Sequence, residues 1–388
     1  MNLSDMIYFD NSATTKPSEA SLTKMREALC VSFGNPGSVH LAGNDARRLL
    51  DEARKSVGET FGIRRAADGE VIFTSGGSEA NNLAMFGSIR AKVRNGGQVF
   101  ITDGEHASVE NAARELEKFG FQVLRIPTVG GALDLDFIEK NADKGVVLAA
   151  MMLVNNETGA LYDIKSAAEI IREKSPKAFI HCDAVQGYLK VKCTPKSLGV
   201  DSMAVSAHKI YAPKGAGALY VTNEVLRAKR LAPHIIGGGQ ETGLRSGTEN
   251  VPAIAAFGAA AREGMAQLES RRKAAEELSE YLIEKIEGTV RINRPEKGIA
   301  NIINITLPQI KSETMLNFMS QKGICISAGS ACSARSHGVS RALTAFGLSE
   351  SEADCSVRIS LSHLNTKEEA DIFAKELEAA IGSLVRKR

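Results

Sequence analysis

Short apolar runs rich in β-branched residues alternate with helical patterns between residues 70 and 221, and this alternation restricts the fold more than any other feature. The runs that predict strands are 70–74, 98–102, 121–126, 146–153, 178–182, 202–206 and 216–221. Helical patterns separate many of these runs, as over 108–119 and 164–173, and a further helical pattern over 45–61 precedes the first run. Such alternation predicts a mostly parallel sheet with helices on both faces. Only a loop separates the last two runs, so one antiparallel strand is expected there.

The rest of the chain predicts a smaller unit. One long helix is expected from Val251 toward Glu287, with Pro252 in its first turn. The last helix should begin at Asn365 or Thr366, with an acidic residue at the capping-box position. Predicted strands and helices alternate in this region at 299–305, 312–321, 323–327, 341–346, 356–361 and 366–385. This pattern is typical of a small α+β domain.

Composition indicates a soluble globular chain. The 388 residues are 43% hydrophobic and 24% charged, with a formal net charge of +2 and scattered basic residues. Nothing in this balance favours a direct nucleic-acid or membrane-surface role. No run reaches the roughly 18 apolar residues of a spanning helix, and residues 1–10 lack the pattern of a secretory signal. The cytoplasm is therefore the expected compartment.

The cysteines predict one accessible thiol and no metal site of their own. None form a Cys-x-x-Cys pair or have zinc-site spacing, and a disulfide framework is not expected in a large cytosolic chain. Cys182 and Cys325 lie in strand-like segments, whereas Cys332 lies in the small, polar stretch 327–336. The six positions are Cys30, Cys182, Cys193, Cys325, Cys332 and Cys355.

Several polar segments that follow predicted strands carry candidate chemistry. Segment 74–82 opens a helix with adjacent glycines, which suits a bound phosphate but is also found in ordinary strand–helix turns. It matches neither a P-loop nor a dinucleotide fingerprint. His106 either stacks on an aromatic ring and moves protons or caps the next helix. Asp183 either holds a ring nitrogen protonated, with Gln186 near a ring hydroxyl, or caps a turn.

Lys209 is the candidate nucleophile. It follows a predicted strand in Ser206-Ala207-His208-Lys209, and a lysine amine becomes nucleophilic at neutral pH only where its site lowers its pKa. A solvated surface lysine is the alternative, and this segment does not decide between them. Support for the nucleophile comes from His106, Asp183 and Cys332 elsewhere in the chain.

Together these segments resemble the NifS/IscS-type cysteine desulfurases, which are pyridoxal-phosphate enzymes of aminotransferase class V. The resemblance implies an α/β fold of the type I pyridoxal-phosphate-dependent transferases, with a mostly parallel seven-stranded sheet, helices on both faces and a small α+β domain. It implies a large domain over 15–255, a small domain from 1–14 and 256–388, and a homodimer. The matching segments are 10–15, 33–36, 74–82, 105–106, 154–159, 183–186, 206–209, 245–248, 329–332 and 356–360.

The resemblance also implies roles for the candidate catalytic residues. Lys209 corresponds to the lysine that holds pyridoxal 5'-phosphate as a Schiff base, and His106 to the stacking, proton-handling histidine. Asp183 corresponds to the partner of the pyridine nitrogen and Gln186 to that of the phenolic oxygen. Cys332 corresponds to the sulfur-accepting nucleophile.

The remaining roles concern the cofactor phosphate and the substrate. Asn156 is implied beside the cofactor, and Thr248 is implied to reach the phosphate from the second subunit. The phosphate cup would consist of Gly77, Ser78, Ser206 and His208. The substrate carboxylate would be bound by Asn35 and Arg358, near Asn156. Two positions depart from the family pattern, since Ser78 replaces a usual threonine and Ser362-His363 replaces a frequent Gly-Arg.

The implied reaction removes sulfur from L-cysteine, giving L-alanine and a persulfide on Cys332. A sulfur-acceptor protein, either an iron–sulfur scaffold or a tRNA-thiolation enzyme, would then receive the sulfur. Cys332 is also a candidate for a transient iron–sulfur cluster ligand. A selenocysteine lyase, another class V aminotransferase or a sulfur-carrying binding subunit are the alternatives.

Overall fold

The computed structural model describes residues 6–92, 96–329 and 339–384. Its strands are β1 (Ile7–Tyr8), β2 (Glu70–Thr74), β3 (Gln98–Thr102), β4 (Gln122–Ile126), β5 (Val146–Met152), β6 (Phe179–Asp183), β7 (Ser202–Ser206), β8 (Gly217–Val221), β9 (Arg291–Ile292), β10 (Ile302–Thr306), β11 (Ile324–Cys325) and β12 (Ser356–Ser360). Its α-helices are α1 (Glu19–Cys30), α2 (Leu41–Thr60), α3 (Gly77–Arg90), α4 (Ala107–Lys118), α5 (Leu135–Asn141), α6 (Ile164–Lys174), α7 (Pro195–Leu198), α8 (Asn223–Arg227), α9 (Val251–Ala266), α10 (Leu268–Ile286), α11 (Ser312–Gln321), α12 (Arg341–Phe346), α13 (Glu350–Asp354) and α14 (Lys367–Leu384).

The central sheet is mostly parallel, which confirms the prediction. In the described part of the chain it has seven strands in the order β2-β8-β7-β6-β5-β3-β4. β8 is antiparallel to both of its neighbours, because the connection from β7 is too short for a crossover helix. The other pairs are parallel. The segments that follow the parallel strands therefore meet at one edge of the sheet.

Each face of this sheet has its own apolar core. Successive strand residues point to opposite faces, so Phe73 packs with α2 and α9 whereas Ile72 packs with α3 and α4. Phe257 of α9 meets Phe73 edge-on, with ring centroids 6.3 Å apart. None of the helices in the described ranges has the length and apolar character needed to cross a membrane.

A separate core forms around the antiparallel strands β9, β10 and β12. β1 pairs with β11, and Phe9 packs against Phe373 of α14 with centroids 5.8 Å apart. The N-terminal strand thus shares a core with the C-terminal helices. The domain boundary between residues 255 and 256 stays a prediction. It crosses α9, whose buried residues as far as Ala261 belong to the core of the large sheet.

The predicted single helix from Val251 to Glu287 is wrong, because α9 and α10 meet at Gln267. Its backbone angles, φ −108° and ψ 10°, lie outside the helical region. The two helices serve different cores. Gly258 of α9 lies so close to Ala53 of α2 that an added Cβ would be 2.5 Å from its Cα, whereas Leu282 of α10 packs in the small core. No proline or glycine marks this break.

Candidate active site

A cavity of about 200 Å³ lies at the edge where the parallel strands end. It brings together most of the predicted site residues, which come from five strand-following segments and from β12. The predicted residues that line it are Gly77, Ser78, His106, Asn156, Asp183, Gln186, Ser206, His208, Lys209 and Arg358. The lining residues that were not predicted are Ala13, Asn81, Ser108, Met152, Val154 and Val185.

Lys209 lies in a short helical turn directly after β7. Its Nζ donates hydrogen bonds to the carbonyl oxygen of Ser12 and, at 2.9 Å, to that of Ala13. Thr15 anchors the turn, since its Oγ1 donates to the carbonyl of His208 at 3.0 Å and accepts from the N–H of Tyr211 at 2.7 Å. The surface-lysine alternative is therefore wrong, because this amine faces a cavity and the N-terminal segment packs against it.

The N-terminus of α3 forms a narrow glycine-lined recess. A Cβ on Gly77 would lie 2.7 Å from Cγ2 of Val185, so a side chain there would close the recess. The first turn of a helix leaves its backbone N–H groups free to bind an anion. Burial, reinforced by Lys209 and other nearby cations, lowers the pKa of His208 to about 4. His208 therefore lines this end as a neutral ring at physiological pH.

Asp183 is both a cap and a cavity residue. It is 5% exposed. Its Oδ1 accepts from the N–H of Val185 at 3.0 Å, and its Oδ2 accepts from Nδ2 of Asn81 at 2.7 Å. The capping and ring-nitrogen interpretations are thus compatible, since the capped carboxylate still faces the cavity.

His106 is likewise both a helix cap and a cavity-lining residue. It is the N-cap of α4, where its Nδ1 accepts from the N–H of Ser108 at 3.1 Å. Burial lowers its pKa, with opposing contributions from Asp183, which raises it, and Lys209, which lowers it further. Because Nδ1 is occupied by the cap, Nε2 is the nitrogen left for a group in the cavity.

Arg358 provides the positive charge at the opposite end. Its side chain is 1% exposed and its Nη2 lies 2.7 Å from Oδ1 of Asp10. Nη1 donates to the backbone oxygen of Asn156 at 2.9 Å. Its Nε has no hydrogen-bond partner among the described residues. A buried N–H of a guanidinium with no partner suits a bound carboxylate.

Lys190, which was not predicted, orients Gln186. Its Nζ donates to Oε1 of Gln186 at 3.2 Å, while Nε2 of Gln186 donates to the carbonyl of Ser12 at 2.9 Å. Burial lowers the pKa of Lys190 to about 7, with help from Lys209 and Arg358. The only sequence signal is its position four residues after Gln186.

Glu105 is a second unpredicted group beneath the cavity. Its Oε1 accepts from Thr102 Oγ1 at 2.8 Å and from the N–H of Met152 at 2.7 Å. Burial and the charge of Asp183 raise its pKa to about 8. Glu105 is therefore mostly protonated at neutral pH. Its position beside His106 is the signal that could have identified it.

Three predicted residues are not part of this cavity as described. Asn35 is exposed, and its Oδ1 accepts from the N–H of Gly37 at 2.9 Å. Thr248 is exposed as well and does not line the cavity of its own chain. Cys332 lies outside the described residues.

Glu157 lies close to Gly329 and Ser340, two described residues on either side of the segment that contains Cys332. Its Oε2 accepts from Oγ of Ser340 at 2.5 Å, and a Cβ on Gly329 would lie 2.8 Å from the same oxygen. Glu157 directly follows Asn156, which lines the cavity. Gly329 and Ser340 therefore both lie beside a residue that follows the cavity lining directly in the chain.

The other cysteines differ in environment. Burial raises the pKa of Cys182, that of Cys325 and that of Cys355, and it raises the pKa of Cys193 to about 11. These four thiols should react slowly. Cys30 is exposed, so burial does not protect it. Within the described residues, no group of three or more His, Cys, Asp or Glu side chains could hold a metal ion.

Comparisons with known proteins identify the family. Residues 7–373 match the family model described as aminotransferase class-V. Cysteine desulfurase IscS 1 of Archaeoglobus fulgidus is 37% identical over 98% of both chains. Cysteine desulfurase 2 of Trichormus variabilis is 36% identical over 94% of this chain and 90% of its own.

Solved structures agree with this assignment. A NifS-like protein superposes with a TM-score of 0.90 and 31% identity, covering 97% of this chain and 99% of its own. SspA in complex with cysteine has a TM-score of 0.78 and 32% identity, covering 93% of this chain and 100% of its own. The chain therefore belongs to aminotransferase class V, in its group of NifS/IscS-type cysteine desulfurases.

Proposed function

We propose that this chain is a pyridoxal-phosphate-dependent cysteine desulfurase, which converts L-cysteine to L-alanine and leaves a persulfide on Cys332. One observation carries the proposal: Lys209, Asp183, His106 and Arg358 converge on one cavity. Full-length relatives named cysteine desulfurases support the choice of reaction.

The residues present fit the cofactor. The recess at Gly77 and the first amides of α3 would hold the phosphate, together with Ser78, Ser206 and His208. Asp183 would pair with the ring nitrogen, Gln186 with the phenolic oxygen, and His106 would contact the ring from the cavity lining. When bound, pyridoxal phosphate supplies an electron sink for the electron pair released at the substrate α-carbon.

The chain's own groups would perform the remaining tasks. Arg358, whose Nε has no partner among the described residues, would bind the substrate carboxylate. The amine of Lys209 would take and return the proton at the α-carbon, since it faces the same cavity. The thiolate of Cys332 would then form an S–S bond as the substrate C–S bond breaks. The electron pair stays on the β-carbon, which takes up a proton to give alanine.

Mass spectrometry after addition of L-cysteine without reductant tests the proposal. The mass of one sulfur should appear on the peptide that contains Cys332, and Cys332→Ser should stop sulfide release while keeping the cofactor colour. Cys355→Ser is the matched control and should retain activity. Borohydride reduction should place the pyridoxyl group on Lys209. Sulfur on another cysteine, or undiminished alanine production by Cys332→Ser, would favour a lyase or an aminotransferase instead.

We further propose a homodimer in the cytoplasm that passes sulfur to an acceptor protein. Exposed apolar side chains support the dimer. Two of them lie in the α1–α2 connection, where Phe33 is 74% exposed and Val39 is 95% exposed. A third is Ile236, which is 84% exposed and directly precedes a glycine-rich segment. Thr248 follows in the same segment and would reach the phosphate of the partner subunit. A selenocysteine lyase stays an alternative. The ratio of the reaction rates on cysteine and selenocysteine distinguishes the two activities.

A further inference from the structure

Fully buried polar side chains connect residues on both sides of the cavity. His181 lies in β6 and has 0% exposure, as does Asn81 on α3. Nε2 of His181 lies 2.9 Å from Oδ1 of Asn81. Nδ1 of His181 lies 2.8 Å from Oγ of Ser202 on β7. Side chains buried this deeply keep their hydrogen bonds, because an unpaired polar group away from water costs free energy.

Asn81 is the branch point of this network. Its Nδ2 donates to Oδ2 of Asp183 at 2.7 Å and to Oγ of Ser108 at 2.8 Å. The same Oγ lies 2.8 Å from Nδ1 of His106. One amide therefore contacts Asp183 directly and His106 through a single hydroxyl.

The direction of each hydrogen bond follows from the chemistry of its ends. A carboxylate only accepts, so Asn81 presents its NH₂ group to Asp183 and its oxygen to His181. Nε2 of His181 must then carry the proton. Burial lowers the pKa of His181 to about 3, so the ring is neutral and its Nδ1 accepts from the hydroxyl of Ser202.

We propose that His181 is a positioning residue that fixes the amide of Asn81. In this way it keeps an N–H donor on Asp183 and directs the hydroxyl proton of Ser108 toward Nδ1 of His106. If the amide turned over, its oxygen would face the carboxylate oxygen 2.7 Å away. The charged form of Asp183 would lose a donor, and the hydroxyl of Ser108 would be free to reverse. The inference rests on the proposed function only for the identity of the ligand.

Nitrogen NMR of the full-length, cofactor-free protein with ¹⁵N-labelled histidine rings tests the tautomers directly. In the wild type, His106 should show an unprotonated Nδ1 and a protonated Nε2 at neutral pH. The backbone N–H of Ser108 holds the tautomer of His106 in both proteins, so His181→Leu should keep Nδ1 unprotonated. It should still shift the Nδ1 signal, because the hydroxyl of Ser108 no longer donates steadily to this nitrogen. His181→Gln should restore the wild-type pattern, since its amide N–H can replace Nε2–H. His234→Leu, a change outside the network, is the control and should leave the signals of His106 unchanged.

Titration with pyridoxal 5'-phosphate provides the second readout. His181→Leu should weaken binding roughly tenfold, the expected effect of losing one charge-assisted hydrogen bond. His181→Gln should stay within about threefold of the wild type. If His181→Leu does not fold, His181→Phe replaces it in both measurements, because it keeps an aromatic ring in the core and removes the N–H donor to Asn81.

The two readouts separate this inference from the proposed function. A folded His181→Leu or His181→Phe variant with wild-type signals for His106 and wild-type cofactor affinity would show that His181 is only a core residue. A wild-type protein that does not bind pyridoxal phosphate would contradict the proposed function. The NMR comparison would still decide whether the network exists.

Discussion

Several residues of the site carry two tasks at once. His106 and Asp183 are each a structural cap and a cavity-lining group, so the alternatives that the sequence left open are not exclusive. A cap fixes the side chain through a backbone N–H, which leaves the remaining nitrogen or oxygen in a defined place. Pre-organisation of this kind reduces the ordering that a ligand would otherwise have to impose.

Glu105 provides a pH-dependent prediction at this scale. Its pKa is about 8 in the folded chain because of burial and the charge of Asp183, against about 4.3 when unfolded. The folded state therefore holds more protons between these values, and stability should fall as the pH rises through this window. Glu105→Gln should remove this pH-dependent fall in stability, because a glutamine side chain does not titrate.

Urea unfolding at pH 5, 7 and 9 measures the effect. The unfolding free energy of Glu105→Gln minus that of the wild type should increase by at least about 1 kcal/mol between pH 5 and pH 9. Glu115→Gln, whose side chain is 43% exposed on α4 beside Lys118, is the control and should show no such trend. A constant difference for Glu105→Gln across pH would contradict the raised pKa.

Two contacts of the site that sequence reasoning did not predict join residues that lie far apart in the chain. Asn81 and His181 are 100 residues apart, and Asp10 and Arg358 are 348 apart. These hydrogen bonds form only when particular strands become neighbours in the sheet, and no local sequence pattern predicts the strand order. Lys209 and Asp183 were predictable because each directly follows a recognisable strand.

At the scale of elements, the strands were predicted best. Their β-branched runs end at polar residues, and the predicted bounds differ from the structure by at most three residues, as for 146–153 against Val146–Met152. The capping box at the last helix is also confirmed, since the N–H of Thr366 donates to Glu369 at 3.1 Å and Thr366 accepts from the N–H of Glu369 at 3.3 Å. The break at Gln267 could not be predicted, because the competition between two cores causes it.

Glu241 ties the glycine-rich segment to the edge strand β2. Its carboxylate accepts from both terminal nitrogens of Arg54, at 2.8 and 2.6 Å, and from the N–H of Phe73 at 2.7 Å. Its side chain is 1% exposed. The backbone of Glu241 and Thr242 has positive φ values of 48° and 56°, so these contacts hold a segment whose conformation is unfavourable by itself.

Glu241→Gln should therefore lower the unfolding free energy by about 2 kcal/mol, because it weakens hydrogen bonds to a largely buried charge. Chemical denaturation measures this loss. Glu52→Gln is the matched control, since the Arg48–Glu52 pair is about half exposed, and it should cost less than about 0.5 kcal/mol. Equal effects of the two changes would show that Glu241 does not anchor the segment.

At the scale of the whole molecule, the exposed apolar segments predict association. Phe33→Glu places a charge in the α1–α2 connection, where Phe33 is 74% exposed. If this surface is the dimer interface, sedimentation should show monomers, and the cofactor should dissociate more readily because Thr248 of the second subunit is lost. Phe119→Glu is the control, since Phe119 is 63% exposed at the end of α4.

Comparison of the two variants distinguishes a specific dimer interface from non-specific hydrophobic association. Phe119→Glu should keep both the oligomeric state and the cofactor. A wild-type monomer with full activity would contradict the homodimer. Dissociation caused equally by both changes would show that the α1–α2 connection has no special role.

The pairing of the chain's two ends has a consequence for biosynthesis. Ile7 pairs with Ile324, and Asp10 holds Arg358, so the end of the cavity at Arg358 needs the first and last parts of the polypeptide together. The large sheet can form earlier, because its strands and the helix α9 that packs in its core end by Ala266. A nascent chain would therefore acquire the surfaces for pyridoxal phosphate before it could recognise an amino acid. Ribosome-bound intermediates should bind cofactor without consuming cysteine, which delays sulfur release until synthesis is nearly complete.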